Sequence, residues 1–173
     1  FPFFIRLIDT LKQEFPNLKY VVSLAQEKYR PLLEGHPLAT PQEIEQLKPF
    51  LAIAKSGTVS LELALKQIPS VVTYAISPLD LFLATYVFKI KLPFYALPNL
   101  IARKTIFPEL IGPSLSDGNL YREVKNLITD RPSWEKCQKS CQALRENMGS
   151  ENVSRKAAEL ILESVVEIRL RRF

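Results

Sequence analysis

Apolar positions along the chain change period several times, and each change marks an element. Phe4, Leu7, Ile8, Leu11 and Phe15 recur at helical spacing, which predicts a helix over Phe3 to Phe15 ended by Pro16-Asn17. Lys19 to Ala25 is a β-branched and aromatic run and predicts a buried strand. Gln26 to Leu33 reads as a short helix interrupted at Pro31, and Gly35-His36-Pro37 as a turn. Thr40-Pro41-Gln42-Glu43 combines an N-cap, a proline at the first helical position and an acid in the first turn, so a helix follows to about Lys48. Phe50 to Ala54 and Ser70 to Ala75 are apolar strands, with a helix between them. Ser77-Pro78 caps a further helix over Leu79 to Lys89, whose apolar face holds Leu81, Phe82, Thr85 and Tyr86.

From Leu115 the character changes. Ser116-Asp117-Gly118-Asn119 is a capping turn, and Leu120 to Thr129, Ser133 to Asn147 and Asn152 to Leu170 read as polar-faced helices, with Trp134 anchoring its helix start to the core. The expected organisation is an α/β domain over residues 1–114 and a helical segment over 115–173. Alternating strands and helices point to βαβ units and a parallel sheet with helices on both faces. The turns at Ala25-Gln26, Lys55-Gly57 and Ile76-Ser77 should then line one edge, because right-handed crossovers place the crevice at the carboxyl ends of the strands.

The stretch Ile53 to Ala64 carries the chemistry. A strand runs into Lys55-Ser56-Gly57-Thr58, which opens a helix. The first amides of a helix lack intrahelical partners and carry partial positive charge, so such a start favours phosphate. Gly57 permits close approach to the backbone. Glu62 follows Thr58 by four residues, roughly 6 Å along a helix axis, and a carboxylate suits a pair of ribose hydroxyls. The same spacing equally describes an N-capped amphipathic helix with one solvated glutamate. Asn99 and Glu109 are single polar residues in apolar surroundings, each directly after a proline. They either face a ligand or cap helices, and need partners if buried.

Composition narrows the classes. Of 173 residues 47% are hydrophobic and 24% charged, as in a globular chain. No apolar run reaches the roughly 18–20 residues that span a bilayer. A net charge of +5 is too small to argue for nucleic acid, and none is expected as a partner. Cys137 and Cys141 sit one helical turn apart with no nearby His or third Cys, so two reduced thiols are expected and no metal site. His36 reads as a loop residue. The region Phe82 to Tyr95 (Phe82, Tyr86, Phe88, Lys89, Lys91, Phe94) either meets a lipid surface or is core. The opening Phe1-Pro2-Phe3-Phe4 suggests the middle of a longer protein.

Three motifs, Ser56-Gly57-Thr58-x-Ser60-Leu61-Glu62, Leu97-Pro98-Asn99-Leu100-Ile101-Ala102 and Phe107-Pro108-Glu109-Leu110, closely resemble in order and spacing the carboxyl-terminal half of the lipid-A-disaccharide synthase family, over Phe1 to about Leu127. The first is shared by many GT-B glycosyltransferases; the proline motifs are narrower. The resemblance implies two Rossmann-like domains across a cleft, the carboxyl-terminal one holding UDP-2,3-diacylglucosamine. It implies 2,3-diacylglucosamine 1-phosphate as acceptor, an inverting transfer giving a β-1,6-linked disaccharide and UDP, and neither metal nor cofactor. It implies a peripheral enzyme on the cytoplasmic face of the inner membrane of a Gram-negative bacterium.

Carried onto this chain, Ser56, Gly57 and Thr58 meet the diphosphate, Ser60 adds a hydroxyl and Glu62 holds the ribose. Asn99 lies near the diphosphate or sugar, and Glu109 supports that loop or contacts the donor. The family's opening strand with its Gly-Ser-Arg loop, and its amino-terminal domain with the acceptor site and general base, are expected upstream of this chain. Its last helices are expected to cross to the other domain or to a second copy, as in a homodimer. Two alternatives stay open: another GT-B enzyme of UDP-sugars, and a non-catalytic α/β interaction module.

Overall fold

The computed structural model describes residues 2–24, 27–83 and 92–149, together with 158, 161 and 162. The Ala25-Gln26 turn, the second half of the helix expected over Leu79 to Lys89, Lys91, and nearly all of the last helix with its basic tail lie outside the described residues.

A three-stranded parallel sheet forms the centre: β3 (Ala52–Lys55), β4 (Ser70–Tyr74) and β5 (Glu109–Ile111), in spatial order β3-β4-β5. Ala54 pairs with Val72, and Val72 with Glu109. The middle strand is buried from Ser70 to Thr73, as expected for a parallel strand covered on both faces. The polar members of β4 are satisfied locally: Ser70 Oγ donates to Ile68 O (2.8 Å) and Thr73 Oγ1 to Ala54 O (3.3 Å). A separate parallel pair, β1 (Val22–Ser23) and β2 (Leu38–Ala39), lies earlier in the chain. The fold is thus α/β, with parallel strands in open sheets flanked by helices.

The strand expected over Lys19 to Ala25 shrinks to two residues, and Val22 is only half-buried. β propensity is realised only where a neighbouring strand takes the backbone groups. Here the partner is two residues long, with Val22 N donating to Pro37 O (2.9 Å) just before it. The expected short helix after it is a 3-10 helix, Glu27–Leu33, which holds Pro31 and buries Leu33. β2 and β5 are strands that the residue pattern did not indicate, each three residues or fewer.

Helix α1 (Pro2–Glu14) buries Leu7 and Leu11. Helix α2 (Pro41–Leu47) begins with a reciprocal capping box: Thr40 N donates to Glu43 Oε2 (2.7 Å) and Glu43 N to Thr40 Oγ1 (3.3 Å). Lys48, in left-handed conformation, ends it. Helix α3 (Thr58–Leu65) joins β3 to β4. Helix α4 (Pro78–Phe82) has Ser77 as its N-cap. The Pro98-Asn99 stretch is itself a helix, α5 (Leu97–Ala102), with Asn99 inside it and Ala96, not Asn99, at its N-cap. Helices α6 (Asp117–Thr129) and α7 (Arg131–Met148) start a few residues earlier than the apolar pattern suggests, because Ser116 and Asp130 act as N-caps.

Helix α3 packs with α5 and α7, while α6 packs with β4 and α1. The buried cluster runs through all of them: Val71, Val72, Ala64, Ala96 and Phe107 join Leu120, Val124, Leu127, Cys141 and Leu144. Burial of each valine, leucine or phenylalanine among them contributes about 1.5–3 kcal/mol. The start of α7 is tied to the segment before β3: Trp134 stacks on Phe50 with ring centroids 4.9 Å apart, and its Nε1 donates to Phe50 O (2.9 Å). Ion pairs Arg6–Asp117 and Lys125–Glu14 fasten α1 to α6 at the surface. Exposed pairs of this kind orient helices more than they stabilise them.

Candidate functional site

Lys55 ends β3, and the ladder continues one residue further, with Ser56 N donating to Thr73 O (2.8 Å). Gly57 then turns the chain at φ 153°, ψ −165°, a region essentially restricted to glycine. A Cβ at that position would meet nothing within 4 Å, so the conformation demands glycine while the space beside it stays open. Thr58 begins α3 and is exposed. No side chain caps this helix start, in contrast to α2, α4, α6 and α7. Uncapped leading amides at the carboxyl end of a parallel strand form an anion-seeking surface.

Ser60 is fully buried, and its hydroxyl donates to Gly57 O (2.6 Å), closing the turn from inside. Glu62 stands exposed on the next turn of α3. Among the described residues no ion pair involves it. It lines an open groove of about 960 Å³ shared with Lys66, Gln67 and, from α7, Gln142, Arg145 and Glu146.

Asn99 and Glu109 meet each other and reach the turn indirectly. Asn99 is fully buried with both ends of its amide engaged. Its Nδ2 donates to Phe107 O (2.8 Å) and Glu109 Oε1 (2.7 Å), and its Oδ1 accepts from Ile106 N (2.7 Å) and Phe107 N (3.0 Å). The Glu109 carboxylate accepts from Tyr95 N (3.0 Å) and Ala96 N (2.9 Å), just ahead of α5. Tyr95 O in turn accepts from Ser56 Oγ (3.2 Å). Every buried side-chain polar atom among the described residues has a partner.

Six of the seven residues singled out in the sequence are therefore joined through the chain and hydrogen bonds around the Ser56-Gly57-Thr58 turn, with Gly57 and Thr58 exposed and Ser60 and Asn99 buried behind them, while Glu62 stands on the next turn of α3 and faces the groove toward α7. Residue patterns missed the backbone of Tyr95, which joins the two halves; a carbonyl leaves no trace in side-chain spacing. They also passed over Lys55, whose ammonium lies 5.4 Å from the Tyr74 ring centroid at the same edge of the sheet.

Away from this patch, His36 Nδ1 lies 3.1 Å from the Tyr20 hydroxyl. Cys137 and Cys141 are free and buried; the hydrogen bond between them, with burial adding, pushes the Cys141 thiol up. No cluster of metal-ligating side chains occurs among the described residues.

A parallel sheet with a glycine turn opening an uncapped helix at one strand's carboxyl end defines an open α/β domain of the kind that binds ligands outside its strand ends. Comparison narrows the class: residues 1–165 match the family described as lipid-A-disaccharide synthetase, and the chain belongs to that family. The match continues well past Leu127, where the residue-level resemblance fades. Among relatives named lipid-A-disaccharide synthase, the protein of Synechocystis sp. is 32% identical over 88% of this chain and 41% of its own length. That of Gloeothece citriformis is 31% identical over 95% of this chain and 45% of its own. That of Chlamydia trachomatis serovar D is 43% identical over a shorter stretch, 57% of this chain and 17% of its own. The chain thus spans under half the length of these relatives.

Proposed function

We propose that this chain is the donor-binding part of an inverting glycosyltransferase of lipid A biosynthesis. The donor is UDP-2,3-diacylglucosamine, the acceptor 2,3-diacylglucosamine 1-phosphate, and the products are the β-1,6-linked lipid A disaccharide 1-phosphate and UDP. The observation that carries the reading is the uncapped start of α3 behind Gly57, with an exposed carboxylate one turn further on, in a chain of this family.

In this reading Ser56, Gly57 and Thr58 meet the diphosphate through the amides from Gly57 to Val59 and the Thr58 hydroxyl, while the Ser56 hydroxyl, given to Tyr95 O, sets the turn, and Glu62 accepts from the ribose hydroxyls. Ser60, Asn99 and Glu109 belong to the same site as its inner support. The acceptor's 6-hydroxyl oxygen forms the new bond to the anomeric carbon as the bond to the β-phosphate oxygen breaks. Negative charge grows on the departing UDP, and fixed N–H groups aimed at it stabilise that charge with little reorganisation. The proton of the attacking hydroxyl passes to a base on another part of the protein. His36 bonds Tyr20 away from the patch, and Glu62 is committed to the ribose. No metal is invoked.

In the same reading the enzyme, acting on lipid-bearing substrates, sits peripherally on the cytoplasmic face of the inner membrane, with the amino-terminal domain supplying the acceptor site and a second copy as a further partner. Incubation with both lipid substrates tests the proposal. The intact protein yields disaccharide and UDP, whereas this chain alone yields none. Disaccharide from this chain alone, or transfer by the intact protein to a different acceptor class only, overturns it.

A further inference from the structure

We infer that Glu109 is a positioning residue of the donor site: through the backbone of Tyr95 it fixes the Ser56 hydroxyl, and so the set of the Ser56-Gly57-Thr58 turn, without itself touching the ligand. The inference rests on the donor-site reading above.

The geometry runs in one direction. Asn99 is locked by four hydrogen bonds and presents Nδ2 to Glu109 Oε1 at 2.7 Å. That contact aims the carboxylate at two consecutive amides, Tyr95 N and Ala96 N. Oε1 takes Asn99 Nδ2 and Ala96 N, while Oε2 makes the shorter of the two bonds to Tyr95 N, 3.0 Å against 3.2 Å. Holding the Tyr95 peptide from behind leaves its carbonyl facing Ser56 Oγ. Ser56 is also held by its amide through Thr73 O, so the hydroxyl bond is the second point that sets its side chain. Gly57, with no Cβ and an open side, has no packing of its own to hold it and follows its neighbours. A carboxylate whose oxygens already receive three donors from its own protein has little left for a ligand.

Glu109→Gln separates these roles. Its remaining oxygen still accepts from Asn99, from Ala96 and, at the longer 3.2 Å, from Tyr95, but an NH₂ group replaces the acceptor at 3.0 Å, so only the shorter Tyr95 bond is lost and the Tyr95 peptide is held less firmly. The experiment is a double-substitution cycle in the intact protein, reading UDP affinity by calorimetry. Glu109→Gln and Ser56→Ala should each weaken UDP by about three- to tenfold, the equivalent of one ordinary hydrogen bond. The double substitution should be no worse than the more damaging single one. Ser56→Thr, which retains a hydroxyl, should restore near-parental affinity. In the ligand-free protein the NMR amide signals of Gly57 and Thr58 should shift alike in Glu109→Gln and Ser56→Ala, a readout that does not require UDP.

Multiplying losses in the double substitution would mean that Glu109 meets the donor directly, and overturns the inference. A lower melting temperature with unchanged UDP affinity in Glu109→Gln overturns it too, leaving a purely structural glutamate. If Glu109→Gln does not fold, Ser56→Ala with unaltered Gly57 and Thr58 signals overturns it. Absence of UDP binding by the unsubstituted protein removes the donor site itself, which distinguishes that failure from failure of the link alone.

Discussion

Replacing Gly57 by alanine isolates the conformational demand of the turn. At φ 153°, ψ −165° an L-residue carries about 1–3 kcal/mol of backbone strain. The new Cβ meets nothing within 4 Å, so no clash adds to that figure. Alanine also stiffens the unfolded chain, which offsets about 0.4–1 kcal/mol. The net expectation is a loss of about 1.3 kcal/mol at mid-range, or a fall in Tm of about 3–5 °C for a domain of this size. Gly118 supplies the control. It lies in the first turn of α6, outside the left-handed region, and a Cβ there also meets nothing within 4 Å. Gly118→Ala should therefore stabilise by about 0.4–1 kcal/mol through the unfolded state alone. Urea unfolding of the parent and both variants measures the two signs. A Gly57→Ala protein stabilised to the same extent as Gly118→Ala would refute the assignment of a glycine-only turn.

Asn99→Ala removes the partners of Phe107 O and of the Ile106 and Phe107 amides in a fully buried position; at about 1–3 kcal/mol per orphaned group, unfolding free energy should drop by at least about 3 kcal/mol, read by urea titration. Trp134→Phe keeps the stack on Phe50 but loses the indole bond to Phe50 O, and should cost about 0.5–1.5 kcal/mol by the same assay. The clasp between α1 and α6 gives a pH dependence. The Lys125 ammonium, with the Tyr121 hydroxyl, holds the Glu14 carboxyl below its ordinary value, so its contribution is present above about pH 4.3 and is lost as pH falls through the folded-state value. Stability of Lys125→Met should therefore converge on that of the parent toward pH 3, and the gap at pH 7 should narrow in 0.5 M salt; a gap constant across pH would contradict the assignment.

Side-chain chemistry that acts locally was readable along the chain. The Thr40-Pro41-Gln42-Glu43 pattern forms its capping box, Ser77 and Ser116 cap their helices, and β3 gives way to α3 through Gly57. Elements that owe their existence to a distant partner were not. β5 spans three residues beginning with a glutamate, and only pairing with β4 makes it a strand. The reverse holds for Lys19 to Ala25, where strong β propensity meets a partner only two residues long. Around Asn99 the apolar context marked a polar residue in need of partners. Which partners it takes depends on Phe107 and Glu109 returning beside α5, a tertiary fact.

Thermal melting with and without UDP, in the parent and in Glu62→Ala, tests the donor site most directly. Saturation a hundredfold above Kd adds about 2.7 kcal/mol to the folded state, so the parent should melt about 5–11 °C higher. Glu62 is exposed and in no ion pair among the described residues, so Glu62→Ala should match the parent without UDP and lose most of the shift with it. A parent whose Tm ignores millimolar UDP, or a Glu62→Ala protein that responds as fully as the parent, would contradict the account.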